Sequence, residues 1–475
     1  NEFLASVLAT PRPTRLGPDL PITAVLDDAT SRAEEAFADQ PKALADVLTS
    51  IGHSYRQLLQ FDQAQLLLTR AIALHEANGN TISAGFARVQ LAEVHRRQGE
   101  LESAKQLNRI TLKDVTGRGT DSIRVQLLAR LGFIRILIAE SNFDAAQTAV
   151  DEAFSLAESA GLSGNASQWA QLSLEAGQLK LRLGQPRAAQ PLLQDALDYY
   201  LTHQGERNLN TATVRNSLVE AMVRTGQLDA ASVLARENYQ VISDWLGPSD
   251  PLRLTAADTL ANVLSSQGLP DQALTLNQQA LAELDADHQH AGYQVLHLRT
   301  NQAAYLLDLD RPREALALIE RLTDELNQKL GPNHPTHLVV KLNKADALLA
   351  RGDITAAHAL AGQLRQWIDA QYGEQHLLSL VAGYIEGAAS SRMGQLDDAE
   401  SLLRTSFDQL TAQIGELDPV TLKAGLFLAQ HLRDSGQHQA SLELAESLFV
   451  RSVRRLGQAH FRTVQLQQLV ESLNN

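Results

Sequence analysis

Two pairs of polar side chains recur at one fixed interval. Asn301 and Asn343 stand 42 residues apart, and so do Arg182 and Arg224. In a chain of repeated helices, equal spacing means equal orientation, so each pair offers one chemical group twice along one wall. An amide donates and accepts together, which suits the backbone of an extended peptide. A guanidinium presents parallel N–H donors that match a carboxylate. Asn216 and Asn262 fall near the same face, with Glu220 and Asp258 beside them, and Arg56, Arg96 and Arg97 precede them. Asp258, Asp308 and Asp346 make the later part acidic, which would suit a ligand of mixed charge. The candidate groove is therefore Arg56, Arg182, Asn216, Glu220, Arg224, Asp258, Asn262, Asn301, Asn343 and Asp346. Other readings stay open. The arginines sit near predicted helix C-termini, where the helix dipole stabilises a cation, and an amide can equally bond to water or to the next helix.

Catalytic chemistry finds little support. Phosphoryl transfer by a kinase needs a Gly-rich loop, a strand lysine, and catalytic and metal-binding aspartates. None is present, and His431-Leu432-Arg433-Asp434, spelled like part of a catalytic loop, lacks the following Asn. His288 with His290, and His334 with His337, are two-histidine pairs in predicted loops. A metal site needs at least three converging ligands, so no metal or cofactor is expected. Gly117-Arg118-Gly119 follows no strand and so is no dinucleotide loop. Asn165-Ala166-Ser167 matches a glycosylation acceptor with no secreted context to support it. No catalytic residue is assigned.

The elements that must carry the groove are marked by small residues. Ala189, Ala231, Ala273, Ala315, Ala357, Ala399 and Ser441 advance in steps of 42, and Ala64, Ala104 and Ala146 continue the series more loosely upstream. A fixed period of 20–50 residues signals stacked repeats. Five residues before the small residue stands Gly184, Gly226, Gly268, Gly352 or Gly394, and Asp310 takes the place in one unit. Each such segment reads as a helix end, a tight turn closed by a left-handed residue, and a new helix. A second small register runs through Gly52, Ala92, Gly177, Ala261, Ala303, Ala345, Gly387 and Ala429, where two helices must cross closely. Apolar residues between these marks follow the spacing of an amphipathic helix. The reading is all-α. A lead-in with a packing helix covers residues 1–40, an array of about ten units of 40–43 residues covers 41–457, and a polar capping helix covers 458–475.

Composition limits the partners. The net charge of −14 opposes non-specific nucleic-acid binding, which needs a basic stripe, and docking on an anionic membrane. There is no run of 18 apolar residues and no signal peptide, so no segment is expected to insert in a membrane. The absence of cysteine excludes disulfides, thiolate zinc sites and a cysteine nucleophile, and it fits either a reducing or an oxidising compartment. The chain starts at Asn1 rather than Met, which suggests an excised portion of a longer polypeptide.

The marks resemble the tetratricopeptide repeat family. Gly52, Tyr55, Ala64 and Ala71 match its motif well, and Ala261, Gly268, Ala273 and Ala280 match it without the aromatic. Asn238, Leu322, Leu364 and Ser406 depart from the small residue at the last motif position. The 42-residue length and the loop LGPNHPT at 330–336 look like the kinesin-light-chain subclass. The resemblance implies a right-handed superhelical solenoid, with the first helix of each unit lining a concave groove that holds a protein or peptide segment. A second resemblance lies at the front. NEFLASVL, then LDDA with Arg32, then IGHSY at 51–55 look like the opening of the repeat region in bacterial serine/threonine protein kinases. It implies the sensor part of a membrane-anchored kinase on the extracytoplasmic, periplasmic side. The alternatives are a cytoplasmic place, the regulatory region of a transcriptional regulator, and a purely architectural scaffold.

Overall fold

A computed structural model describes residues 22–140, 142–284, 292–330 and 336–474. The apolar start Phe3–Leu8, His288, His290, His334 and most of the LGPNHPT loop lie outside the described residues. Among the described residues there are 22 helices and no strand. They are α1 (Ile22–Ala36), α2 (Pro41–Gln57), α3 (Phe61–Ala77), α4 (Thr81–Arg97), α5 (Leu101–Asp114), α6 (Thr120–Ala139), α7 (Phe143–Ser159), α8 (Ser167–Arg182), α9 (Pro186–Gln204), α10 (Leu209–Arg224) and α11 (Leu228–Ser243). There follow α12 (Pro251–Ser266), α13 (Pro270–Ala282), α14 (Gly292–Asp308), α15 (Pro312–Leu330), α16 (Thr336–Arg351), α17 (Ile354–Tyr372), α18 (Leu377–Arg392), α19 (Leu396–Ile414), α20 (Pro419–Asp434), α21 (His438–Leu456) and α22 (Phe461–Asn474). The fold is an all-α repeat solenoid.

Local chemistry sets the helix ends. Asn80, Asn142, Asn208, Asp250 and Asp418 accept a backbone N–H at the first turn of their helices, satisfying a donor that the helix itself leaves free. Pro41, Pro186, Pro251, Pro270 and Pro419 occupy starting positions where no donor is lost. The turns within hairpins are closed by residues at positive φ. Gly268 and Gly352 have φ of 80° and 96°, and Asp310 adopts 55° where glycine is missing. Leu59 does the same in the first hairpin at φ 60°.

The small register does what close crossing requires. Ala64, Ala104, Ala146, Ala189, Ala231, Ala273, Ala315, Ala357, Ala399 and Ser441 are fully buried. A Cβ on Gly52 would meet Leu68 at 2.8 Å, and one on Gly387 would meet Leu403 at 2.9 Å. Where the last motif position departs from a small residue, the polar substitute is tied down: Asn238 is buried and its Nδ2 donates to the Ala212 carbonyl at 3.1 Å.

The chain divides into two compact units between Leu179 and Lys180, within α8. In the first unit, consecutive helices α1 to α7 pack in series, and α4 also touches α2 and α6. Its core joins Leu26, Ala29 and Ala33 of α1 to Leu48, Ile51 and Tyr55 of α2 and to Leu68 and Ala71 of α3. In the second unit α9 to α22 pack in series, and the even-numbered helices from α10 to α22 touch one to the next. One apolar core runs through that unit from Val219 to Leu432. In both units the even-numbered first helices therefore form an inner wall.

The second unit returns on itself. Arg455 donates to the Thr225 carbonyl, 230 residues away. His460 Nε2 donates to the Ser266 carbonyl at 3.0 Å, and Arg462 Nη2 donates to Asp308 Oδ1 at 2.8 Å. The loops before α20 and α22 thus lie against the hairpin turns at Gly184, Gly226 and Gly268, enclosing a cavity of about 540 Å³. These contacts span 154 to 230 residues, about four to five and a half 42-residue repeats, so one turn of the stack brings its edges together.

Candidate functional site

The inner wall of the first unit is built on side chains spaced three or four residues apart on successive first helices. His53 and Arg56 come from α2, Gln90, Glu93, Arg96 and Arg97 from α4, Arg135 from α6 and Glu175 from α8. His53 Nδ1 lies 2.8 Å from Gln90 Oε1. Arg96 grips Glu93 with two bonds of 2.7 and 2.8 Å, and Arg97 Nε adds a third at 3.0 Å. Arg135 Nε donates to Glu175 Oε1 at 2.6 Å. Burial pushes the Glu93 carboxyl up, but the hydrogen bonds from Arg96 and Arg97 and the field of Arg135 overcome it and hold the group at about 2. Burial also lowers Arg56 to about 10, against the attraction of Glu93 and with the repulsion of Arg97, Arg135 and Arg96. Arg56 is 8% exposed, and its Nε is buried without a partner. Four guanidiniums thus gather around Glu93, with Glu175 at one end, and the excess charge is positive.

The wall of the second unit is chemically different, because its side chains bond to one another. Asp258 is the hub: it accepts from Asn301 Nδ2 at 2.8 Å and Asn262 Nδ2 at 3.3 Å, and lies 3.0 Å from His297 Nδ1. That hydrogen bond, opposed by burial, raises the His297 pKa. Tyr305 donates to Asn262 Oδ1 at 2.8 Å. Asn343 Nδ2 donates to the Thr300 carbonyl at 3.3 Å, and Asn216 Oδ1 accepts from Asn238 at 2.8 Å. Arg224 donates to the Leu181 carbonyl at 3.0 Å and pairs with Glu220 at 2.8 Å. Asp346 pairs with Lys423, and Arg182 is exposed. Asp308, bonded to Arg462, is pushed up by burial against the pull of Arg462 and Lys423.

The structure thus brings Asp258, Asn262 and Asn301 into one network, and ties Asn216, Glu220, Arg224, Asn343 and Asp346 to partners of their own. Arg56 alone among the candidates stands on the arginine-rich wall. Sequence spacing misses Glu93, Arg135, His297, Tyr305, Lys423 and Arg462. A usable signal exists for part of this set. Residues 42 apart share an orientation, whereas five pairs that touch across neighbouring first helices are 43 apart: Leu181 with Arg224, Asp258 with Asn301, Asn262 with Tyr305, Ser265 with Asp308, and Leu349 with Arg392.

Other motifs resolve into packing. His431 is buried at the end of α20 with Nδ1 2.9 Å from Ser391 Oγ, and Arg433 pairs with Asp434 at the surface. Among the described residues no three His, Asp or Glu side chains gather as metal ligands, and no helix is long and apolar enough to cross a membrane.

Stacked helical hairpins with a small residue at each crossing define a repeat solenoid, and comparison specifies its class. A tetratricopeptide repeat model matches residues 210–282, and a second matches 85–107, 296–321 and 338–363. These segments carry tetratricopeptide repeats. No curated protein matches the sequence. Among solved structures, the Rap protein complexed with Competence and Sporulation Factor is 11% identical over 83% of this chain and 99% of that one, with a TM-score of 0.50. The quorum sensor NprR of B. thuringiensis in its apo form is 13% identical over 85% of this chain and 100% of that one, with a TM-score of 0.49. Kinesin-light-chain repeats of Podosopora anserina are 21% identical over 42% of this chain and 93% of that one, with a TM-score of 0.33. At 11% identity the likeness to the Rap protein is one of fold.

Proposed function

We propose that this chain is a non-catalytic binding scaffold that holds an acidic protein or peptide segment along the inner wall of its first unit. The observation behind this reading is the cluster of Arg56, Arg96, Arg97 and Arg135 around one depressed carboxyl, Glu93. Guanidiniums held in place by Glu93 and Glu175 have lost their rotamer freedom before a ligand arrives, which removes part of the ordering cost of binding. Their remaining N–H donors suit carboxylates. The whole chain carries −14, so capture of an acidic segment must rest on local geometry rather than on overall attraction. The asparagines of the second unit suit this role less well, because their amides already serve neighbouring helices.

The test is calorimetric titration with two peptide pools of equal length, one rich in Asp and Glu and one rich in Lys. The acidic pool should bind, and Arg97→Ala with Arg135→Ala should weaken it by about tenfold or more, as loss of charge-assisted hydrogen bonds implies. Equal binding of the acidic pool by parent and double variant would overturn the reading.

A sharper version makes the array the ligand-sensing region of a bacterial serine/threonine protein kinase. The front-end resemblance favours it, although those residues also have a packing role: Tyr55 donates to Asp27 Oδ1 at 2.6 Å, and Leu26 and Ala29 are buried in the same core. Sequence of the surrounding gene decides. A kinase domain followed by an apolar span supports the sensor, and a winged helix supports a transcriptional regulator instead.

A further inference from the structure

An arginine four residues before the crossing position recurs in three hairpins, as Arg88 before Ala92, Arg215 before Val219 and Arg299 before Ala303. In two of them it meets an acid 26 residues further on, in the second helix. Arg88 Nη1 donates to Asp114 Oδ2 at 3.0 Å, and Arg299 Nη1 donates to Glu325 Oε1 at 2.5 Å. In the third hairpin that place is taken by Val241. Arg215 is 5% exposed, and its Nε and Nη1 are buried without a hydrogen-bond partner. The carboxylate paired with it, Glu206, lies 3.8 Å from Nη2 on an exposed side chain. A buried guanidinium with unmet donors is costly, and this repeat lacks the internal acid that serves its two counterparts.

Arg215 and Val241 both line a cavity of about 940 Å³ between α11 and α13. The floor is apolar, with Leu260 and Leu264 of α12 and Leu276 of α13. Tyr239 adds an aromatic wall, and Arg236 stands exposed at the rim. The size falls within the range of small-molecule pockets, and an apolar lining with one or two placed polar groups is their usual make-up.

We propose that this cavity binds a small organic carboxylate with an apolar body, whose carboxylate takes the place that Asp114 and Glu325 occupy beside their arginines. The apolar body lies over Leu260, Leu264 and Leu276, and Val241 leaves the room that a longer acidic side chain would fill. Glu206, Glu237 and Asp271 also line the cavity, but all three are exposed and therefore well solvated. Their presence favours a singly charged carboxylate over a phosphate dianion. This site shares no residue with the arginine wall of the first unit, so either proposal can fail alone.

The test is titration of the full chain with 2-naphthoate and with 2-naphthamide, a neutral molecule of the same shape. The carboxylate should bind about tenfold or more tightly than the amide, as a charge-assisted pair to a buried guanidinium implies. Arg215→Met should erase that preference. Val241→Glu supplies the missing internal acid, so it should abolish naphthoate binding while leaving the thermal transition unchanged or higher. That variant guards against simple misfolding, because the same pairing is already present in two other hairpins. Equal affinity for the acid and the amide, no saturable binding of naphthoate, or undiminished binding by Val241→Glu would each overturn the proposal.

Discussion

The return of the second unit on itself can be tested with two glycines that differ in one respect. Gly268 and Gly352 both close hairpin turns in the left-handed region, at φ 80° and 96°. Replacing either with Ala imposes the strain of a Cβ at positive φ, about 1 kcal/mol. Nothing lies within 4 Å of a Cβ on Gly352. A Cβ on Gly268 would sit 2.7 Å from His460 Cα and 3.0 Å from its ring. Carbon atoms rest at roughly 3.5–4.0 Å, so the overlap is against backbone and cannot be relieved by turning a side chain. Overpacking of this kind costs about 1–3 kcal/mol. Gly352→Ala should therefore lose about 1 kcal/mol, and Gly268→Ala about 2–4 kcal/mol. Urea unfolding followed by circular dichroism gives the totals, and amide exchange of α22 gives the location. If Gly268→Ala opens the seam instead of straining it, the His460–Ser266 and Arg462–Asp308 bonds are lost and α22 exchanges faster. Equal losses for the two variants with unchanged exchange in α22 would refute the closure.

Three further outcomes follow from single side chains. Burial lowers His460 from 6.5 to about 4, against its bond to the Ser266 carbonyl and with the repulsion of Arg462; the unfolded state therefore takes up the proton first as pH falls, and the stability advantage of wild type over His460→Gln should shrink from pH 6.5 down to about 4 and stay level above that window. Glu93, at about 2 in the folded chain and 4.5 by itself, contributes stability above pH 4.5 that disappears as pH falls toward 2; Glu93→Gln should cost about 2–4 kcal/mol at pH 7, because it leaves buried Arg56 and partly buried Arg96 and Arg135 without their counter-charge, and much less at pH 2.5 by thermal unfolding. Leu59 is half exposed at φ 60°, so Leu59→Gly should raise stability by about 0.5–1 kcal/mol in the same melts, through relief of left-handed strain.

The fold was legible because repetition multiplies a weak local signal. One buried alanine means little, but nine alanines and a serine at nearly equal steps identify the crossing residue of successive hairpins, and Leu59 and Asp310 show the turn geometry persisting where glycine is absent. The candidate site was less legible. Spacing of 42 groups Asn301 with Asn343, yet neither touches the other; each reaches one first helix back, to Asp258 and to the Thr300 carbonyl. The arginine wall escaped the ruler because Arg56 and Glu93 stand 37 apart in the less regular front hairpins, and the 42-residue step from Glu93 reaches a group of opposite charge, Arg135.

The sequence by itself determined the helices, their caps and turns, and which face of each first helix looks inward, because those depend on residues within one repeat length. Tertiary structure alone decided which inward groups are already paired, and that Arg455, His460 and Arg462 reach turns and helices laid down 154 to 230 residues earlier. Such contacts depend on the small rotation between neighbouring hairpins, summed over about four to five and a half of them. A sum of that kind is fixed by packing at every interface, and no single spacing in the chain records it.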